Sequence, residues 1–313
     1  MGATKIVFGS NGVIDTPTYA DLYDKSFDVY HRREQSIPLQ GEELYYRETA
    51  TNLQHKLTTY SNILNVPRLS QDADVLSFQV PMPGYSWTIP VLTFRDAIAI
   101  TRTMQKIDRS GMVGIQQGGL LDAMRRLLEK MFAYPINNGL TTAGADGSYL
   151  FATDHYQIDP AAGTWSNIDT SAALTSYSVS DMKASMAQRT NEKGDLSPIE
   201  LARVIVPQNL ADKMGQISNS TLVPENALHA TNPMEKMKYK VWQYLTSTTA
   251  FYGQGKCQKQ EFGLHYVVLT DPEVSRLNTP SFGYPDIVAG WRSYAQVATS
   301  GSVLSYMHRN AGV

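Results

Sequence analysis

Asp154 and His155 stand side by side in the segment Asp146–Asn167, which reads DGSYLFATDHYQIDPAAGTWSN, and Asp159 follows closely. A carboxylate next to an imidazole is the pairing that general acid–base catalysis uses, and it would also supply half of a metal site. The rest of the sequence completes neither. The six histidines, His31, His55, His155, His229, His265 and His308, are scattered, and none falls in an H-E-x-x-H spacing. Gly253-Gln254-Gly255-Lys256 resembles the end of a phosphate-binding loop. Ala250, however, stands where the first glycine belongs, and Cys257 where the magnesium-binding hydroxyl belongs. A surface turn is expected there. Gly111, Gly114, Gly118 and Gly119 do not follow G-x-G-x-x-G. The single cysteine excludes an intrachain disulfide and a cysteine-based zinc site, and points to a reducing compartment. No G-x-S-x-G elbow is present. The expectation is a chain without catalytic residues, cofactor or metal, in which Asp154 and His155 bond local backbone and fix the loop. A cytosolic hydrolase using His155 and Asp154 is the enzymatic alternative.

Composition narrows the class further. The chain has 313 residues, 42% of them hydrophobic, with a formal net charge of −2, so it is neither disordered nor a basic nucleic-acid clamp. Charged residues make up 18%, below the roughly 25% usual for soluble domains. Together with 18 tyrosines, that bias suits a surface buried against further copies of the same chain. The densest basic spots, Arg125-Arg126 and Lys236–Lys240, are small and offset by acidic neighbours. The first residues, MGATKIVFGSNGV, lack the apolar run of a signal peptide, and no stretch approaches a membrane span.

Several elements are legible. Ala20, Tyr23, Phe27 and Tyr30 have helical spacing within an otherwise arm-like, aromatic N-terminus, which has to rest on something; a neighbouring subunit is one such support. Glu43–Ile63 is polar and weakly patterned. Val75, Phe78 and Val80, then Trp87, Ile89, Val91, Phe94 and Ile98, read as a long hairpin turning at Pro81-Met82-Pro83-Gly84. Leu120, Leu121, Met124, Leu127, Leu128, Met131 and Phe132 define the apolar face of a helix. Asp122, Arg125, Arg126, Glu129 and Lys130 form its polar face, with Asp122 and Arg126 spaced for an ion pair, and Pro135 should end it. The glycines before Leu120 argue against its extending further back. A second helix, capped at Ser178 or Ser180, should carry Met182 and Met186 inward. Ala202–Val206 reads as a buried strand, and Pro207 as the opening of a helix over 208–217. Strands are expected at 239–245 and 265–269 and within 287–306, with a rigid turn at 279–285 and loop over 219–237. Helices and strands interleave without a βαβ rhythm, which gives an α+β class.

The Asp146–Asn167 segment, with its LF-x-T-D-H and W-S-N, resembles the corresponding segment of the major capsid (head) proteins of Mu-type tailed bacteriophages, which have the HK97-type capsid fold. Val204–Met214, V-I-V-P-x-x-L, is a second point of resemblance. The resemblance implies an N-terminal arm (1–35), a first part of a peripheral domain (36–64), an extended hairpin loop (65–100), and a peripheral domain with a spine helix (101–158). An axial domain (159–264) and a return to the peripheral sheet with the C-terminus (265–313) complete it. It further implies pentamers and hexamers of this chain forming an icosahedral or prolate head, assembled in the host bacterial cytoplasm around double-stranded DNA held without sequence specificity. Portal, scaffolding and decoration proteins are the other expected partners, and no membrane is. Phe8, Tyr19, Phe27, Arg68, Asp72, Asp74, Tyr85, Trp87 and Arg95 are the candidate subunit contacts. Some shells of this fold cross-link through a lysine on the extended loop; Asn65–Ile100 contains none, so a non-covalent shell is expected. The alternative use of the same fold is an encapsulin-like nanocompartment.

Overall fold

A computed structural model describes residues 13–14, 39–61, 82–102, 106, 112–159, 163–169, 172–191, 194–225, 230–258, 263–277 and 287–313. Its first half contains β1 (Val13–Ile14), β2 (Tyr46–Thr49), β3 (Gln54–Ser61), β4 (Met82–Pro90), β5 (Leu92–Thr101) and helix α1 (Met112–Asn137). Then come β6 (His155–Tyr156), β7 (Thr164–Trp165), β8 (Ile168–Asp169), α2 (Ser176–Ala187), β9 (Leu201–Val206) and α3 (Ala211–Asn219). The chain closes with β10 (Tyr239–Val241), β11 (Phe251–Gly255), β12 (Leu264–Leu277), β13 (Ile287–Gly301) and β14 (Met307–Asn310).

Two five-stranded sheets organise these elements, in the orders β1-β5-β13-β12-β2 and β10-β9-β11-β14-β8. In the first, β5, β13 and β12 run antiparallel, and β1 and β2 join its edges in parallel. After residue 265, β12 and β13 belong to the first sheet and β14 to the second. One apolar core lies between the sheets: Leu128, Phe132 and Ile136 of α1 meet Tyr266, Ala295 and Val297 on one side and Ile205, Trp242 and Tyr252 on the other. A second core fills the far side of the second sheet with Met182 and Met186 of α2 and Met214 and Ile217 of α3. The third, smaller, joins Ile89 and Val91 to Val267 and Ala298 on the outer side of the first sheet.

The helix α1 is longer than its sequence pattern suggested, 26 residues with Pro135 inside it. Gly118 and Gly119 are helical although a Cβ at either would meet nothing within 4 Å, so no close approach demands them. Each costs about 1 kcal/mol relative to alanine, which burial of the apolar face against the sheets outweighs. Pro135 cannot donate to the Met131 carbonyl, and the Thr299 hydroxyl of β13 does so instead at 2.8 Å. Asp122 pairs with Arg125 at 3.9 Å, one residue short of the Arg126 partner expected. Glu129, assigned to the polar face by its spacing, is 1% exposed. For α2 the cap is Thr175, whose hydroxyl and backbone exchange bonds with Ser178.

The Pro-Gly sequence at 83–84 is not a turn. It lies within β4, which pairs antiparallel with β3 from Gln54↔Pro90 to Ser61↔Met82, around an irregularity between Thr58 and Tyr60. Proline is tolerated because among the described residues β4 pairs with β3 alone, so its other edge needs no donors there. The hairpin therefore draws its first strand from the stretch that looked unpatterned. The expected helix at residues 20–30 and the turn at 279–285 lie outside the described residues.

Candidate functional site

The two-stranded ribbon β3–β4 is the feature that sets this subunit apart from a closed globule. Its base is fixed by one carboxylate. Glu48 of β2 receives His265 Nδ1 of β12 at 2.6 Å on one oxygen and His55 Nε2 of β3 at 2.9 Å on the other. Burial alone would raise the Glu48 carboxyl; the bonds from His265 and His55, with their charge, outweigh it and hold it below its ordinary value. Trp87 of β4 covers His265 with ring centroids 5.3 Å apart. Beneath them Leu57, Ile89 and Val91 pack on Val267, Leu269 and Ala298. Tyr85 adds a tie along the ribbon, its hydroxyl donating to the Tyr156 carbonyl at 2.8 Å.

That carbonyl belongs to the segment singled out by sequence. Asn167 is its brace: fully buried, it accepts from the Ala152 N–H at 2.9 Å and donates to the Leu150 carbonyl at 2.7 Å. Its own backbone carbonyl accepts from the Arg309 N–H of β14 at 2.8 Å, locking the loop to the second sheet. His155 does not bond Asp154, which is exposed. Its Nδ1 meets Asp146 Oδ2 at 2.7 Å, with both side chains 0% exposed. The imidazole stacks on Trp165, with centroids 4.3 Å apart and 17° between planes, and the Arg189 guanidinium lies 4.5 Å from the same ring. Arg189 Nη2 donates to His308 Nδ1 at 3.0 Å, which leaves the His308 Nε2–H to face Asp169 at 2.8 Å. Burial lowers the Arg189 guanidinium to about 10, opposed by the Asp169 charge. For Asp169 burial works upward, and the contacts of His308, Ser185 and Arg189 bring the carboxyl below its ordinary value.

This is chemistry of holding. An imidazole with no exposed surface cannot reach a substrate, so the His155/Asp154 acid–base pair has neither its partner nor its access. Among the described residues no group of three or more His, Cys, Asp or Glu side chains is arranged to hold a metal ion. Gly253 and Gly255, expected in a surface turn, are buried in β11 because α2 presses on them. A Cβ at Gly253 would stand 2.4 Å from Met182 Sδ. An open groove of about 480 Å³ is lined by Glu43, Arg203, Ser218 and Met237–Lys240, and in it Glu43 is held by both Arg203 and Lys240. The other charges bring the Glu43 carboxyl below its ordinary value against the upward pull of burial. No described helix is long and apolar enough to cross a membrane.

Of the candidate subunit contacts, Phe8, Tyr19, Phe27, Arg68, Asp72 and Asp74 lie outside the described residues. Tyr85 and Trp87 share β4 and are engaged within their own subunit as described. Arg95 is exposed on β5, opposite Tyr294 in register. At Val13–Ile14 the N-terminal segment pairs in parallel with β5, in register with Ala99 and Ile100. The Glu48 bridge escaped sequence reading because His265 lies 217 residues from Glu48, and no periodicity signals such a meeting.

Residues 86–298 match the family described as phage capsid protein. No curated protein sequence matches at a significant level. Among solved structures, the capsid of cyanophage P-SCSP1u superposes with a TM-score of 0.61 at 10% identity, covering 94% of each chain. The capsid of the native GTA particle gives 0.58 at 12% identity over 95% of this chain and 98% of that one. The holo-SrpI encapsulin complex from Synechococcus elongatus PCC 7942 gives 0.53 at 7% identity over 95% and 94%. At such identities the likeness is one of fold, and it bears out the HK97-type α+β architecture.

Proposed function

This chain belongs to the phage capsid protein family, and from that premise we propose how it builds a head. It is a major capsid protein, a structural component of a bacteriophage virion. Copies associate into pentamers and hexamers that close an icosahedral or prolate shell in the host cytoplasm, with double-stranded DNA inside. The observation that carries this reading is the β3–β4 ribbon. A two-stranded ribbon is marginal in water by itself, and beyond its anchored base the β3 edge has no partner among the described residues. A surface that a subunit cannot cover by itself is covered by a sibling, and a head-to-tail contact of that kind closes into rings.

The interior contents follow from charge. A net charge of −2, with only small basic spots at Arg125-Arg126 and Lys236–Lys240, suits DNA that is packed and later released, since strong phosphate contacts would oppose both. The shell is held without covalent links: residues 65–100 contain no lysine. Lys56, exposed on β3 opposite Thr88, is the lysine the ribbon itself carries, and it sits towards the ribbon's base. Portal, scaffolding and decoration proteins complete the particle, and the narrower likeness to Mu-type heads, which rests on the Asp146–Asn167 segment, is part of this proposal. The encapsulin reading shares the fold and lacks the family match.

Electron microscopy of the purified full chain, expressed alone, tests the reading. Rings of five or six subunits, or closed shells, are expected. A population of monomers at every concentration overturns it, and shells that enclose a co-expressed protein and exclude DNA in packaging extracts would move it to the encapsulin alternative.

A further inference from the structure

Where the N-terminal segment enters the described fold, residues 39–45 run between α1 and the second sheet. Leu39, Leu44 and Tyr45 enter the central core, and the Tyr45 hydroxyl donates to the Phe132 carbonyl at 2.5 Å. The polar side of this segment converges on Glu129. Its Oε1 accepts from the N–H groups of Gln40 and Gly41, the latter at 3.0 Å, and its Oε2 accepts from Trp242 Nε1 at 3.0 Å. Trp242 is 0% exposed and follows β10 of the second sheet directly. The same segment is gripped from that sheet by Lys240, which donates to the Gln40 carbonyl and to Glu43, and by the Gln243 N–H, which donates to Gln40 Oε1 at 3.2 Å. Room for a side chain at position 41 has been removed altogether. A Cβ there would stand 2.5 Å from Phe132 Cβ and 2.7 Å from Trp242 Cζ2.

A carboxylate taken from water costs several kcal/mol unless its oxygens are filled, so its retention on an apolar helix face needs a reason. Here the donors come from the N-terminal segment and from the second sheet, while the acceptor belongs to the helix that carries the first sheet. One side chain thus fixes three bodies at once. No apolar residue could do so, because apolar contacts are non-directional and would leave the Gln40 and Gly41 N–H groups and the indole N–H buried and unpaired.

Building on the capsid reading, we propose that Glu129 is a positioning residue for assembly: it fixes how residues 39–45 are seated between α1 and the second sheet and, through Trp242, how the second sheet sits against α1. Copies that must close into one shell need the same geometry in every subunit, and a directional clamp supplies it.

The test uses the full chain carrying Glu129→Gln, with Trp242→Phe as a second variant and Met124→Ala as a control. Met124 is buried on the same helix and belongs to the same core, and it makes none of the clamp's hydrogen bonds, so its loss should lower stability only. Two readouts are taken below the melting temperature of every variant: hydrogen exchange at the Gln40 and Gly41 amides, and the yield of closed particles in electron micrographs. In E129Q those amides exchange roughly tenfold faster or more, because hydrogen bonds to a charged group are lost locally. Closed particles give way to open or irregular ones. In W242F both effects go the same way and are smaller, and M124A keeps both wild-type values. Should E129Q fail to fold, W242F carries the test. Wild-type protection with wild-type closure in the clamp variants overturns the proposal, as does a loss of closure in M124A equal to theirs. If the wild-type chain builds no particles, the capsid reading fails on its own account, and amide exchange still decides the clamp.

Discussion

Asn167→Ala removes the brace of the loop that binds the ribbon side of the subunit to the second sheet. Two buried groups lose close partners, the Ala152 N–H, now 2.9 Å from Oδ1, and the Leu150 carbonyl, now 2.7 Å from Nδ2, and the Leu304 carbonyl loses a longer bond from Nδ2 at 3.4 Å. Each unpaired buried group costs about 1–3 kcal/mol, and neighbours in one network do not add fully, which gives about 2–5 kcal/mol for the pair. The backbone bonds of Asn167 to Ala152 and Arg309 remain, so the loss belongs to the side chain. Asn167→Asp is the sharper variant. It keeps the acceptor for Ala152, turns an oxygen towards the Leu150 carbonyl and buries a charge, so it should be at least as damaging as alanine. Urea unfolding of the purified chain at a concentration that keeps copies apart measures both, with the midpoint shift converted through a common slope. A loss under about 0.5 kcal/mol for alanine, or an aspartate variant as stable as the parent, refutes the view that Asn167 is a buried two-way brace.

Three other outcomes follow from the geometry. The Glu48 carboxyl is held below its ordinary value of 4.5, so its bonds to His55 and His265 contribute stability that is present above 4.5 and lost as pH falls through the lowered value. Glu48→Gln should therefore cost about 1–3 kcal/mol near neutrality, with its melting curve converging on the wild type's in acid; a gap that widens below 4.5 would contradict the bridge. Glycine substitutions separate two kinds of site. Gly118→Ala, with nothing within 4 Å of the new Cβ, should stabilise by about 0.5–1 kcal/mol, whereas Gly253→Ala, facing Met182 and Leu201, should destabilise by about 1–3 kcal/mol in the same unfolding assay. Boiling assembled particles in detergent should return one band near 34.7 kDa, and a ladder of multiples would show covalent links, through Lys56 in the first instance.

Much of the fold was readable wherever burial leaves a periodic trace. Leu120, Met124, Leu128 and Phe132, the Val204–Val206 strand and the inward Met182 and Met186 stand buried where their spacing puts them, whereas Leu121 of the same stripe is exposed. Misreadings share one cause: a local signal overridden by a neighbour distant in sequence. The glycines before Leu120 look like helix breakers, yet the helix they weaken is held by the sheets it covers. Pro83-Gly84 looks like a turn, yet an unpaired strand edge makes no demand on it. Gly253 and Gly255 look like surface punctuation, and are small because Met182 and Ile199 press against them. The polar hubs were the least legible. Sequence adjacency pairs His155 with its neighbour Asp154, and its buried partner is Asp146, nine residues earlier. Glu129 has the spacing of a solvent-facing residue, and only the folded chain brings Trp242 to it.

The central claim is that the ribbon finishes its burial on a sibling subunit. A cryo-EM reconstruction of particles grown from the purified chain tests it most directly. The account predicts that density for β3–β4 and for the residues joining them, 62–81, lies against an adjacent subunit. Particles in which that density folds back onto its own subunit and touches no neighbour would contradict it.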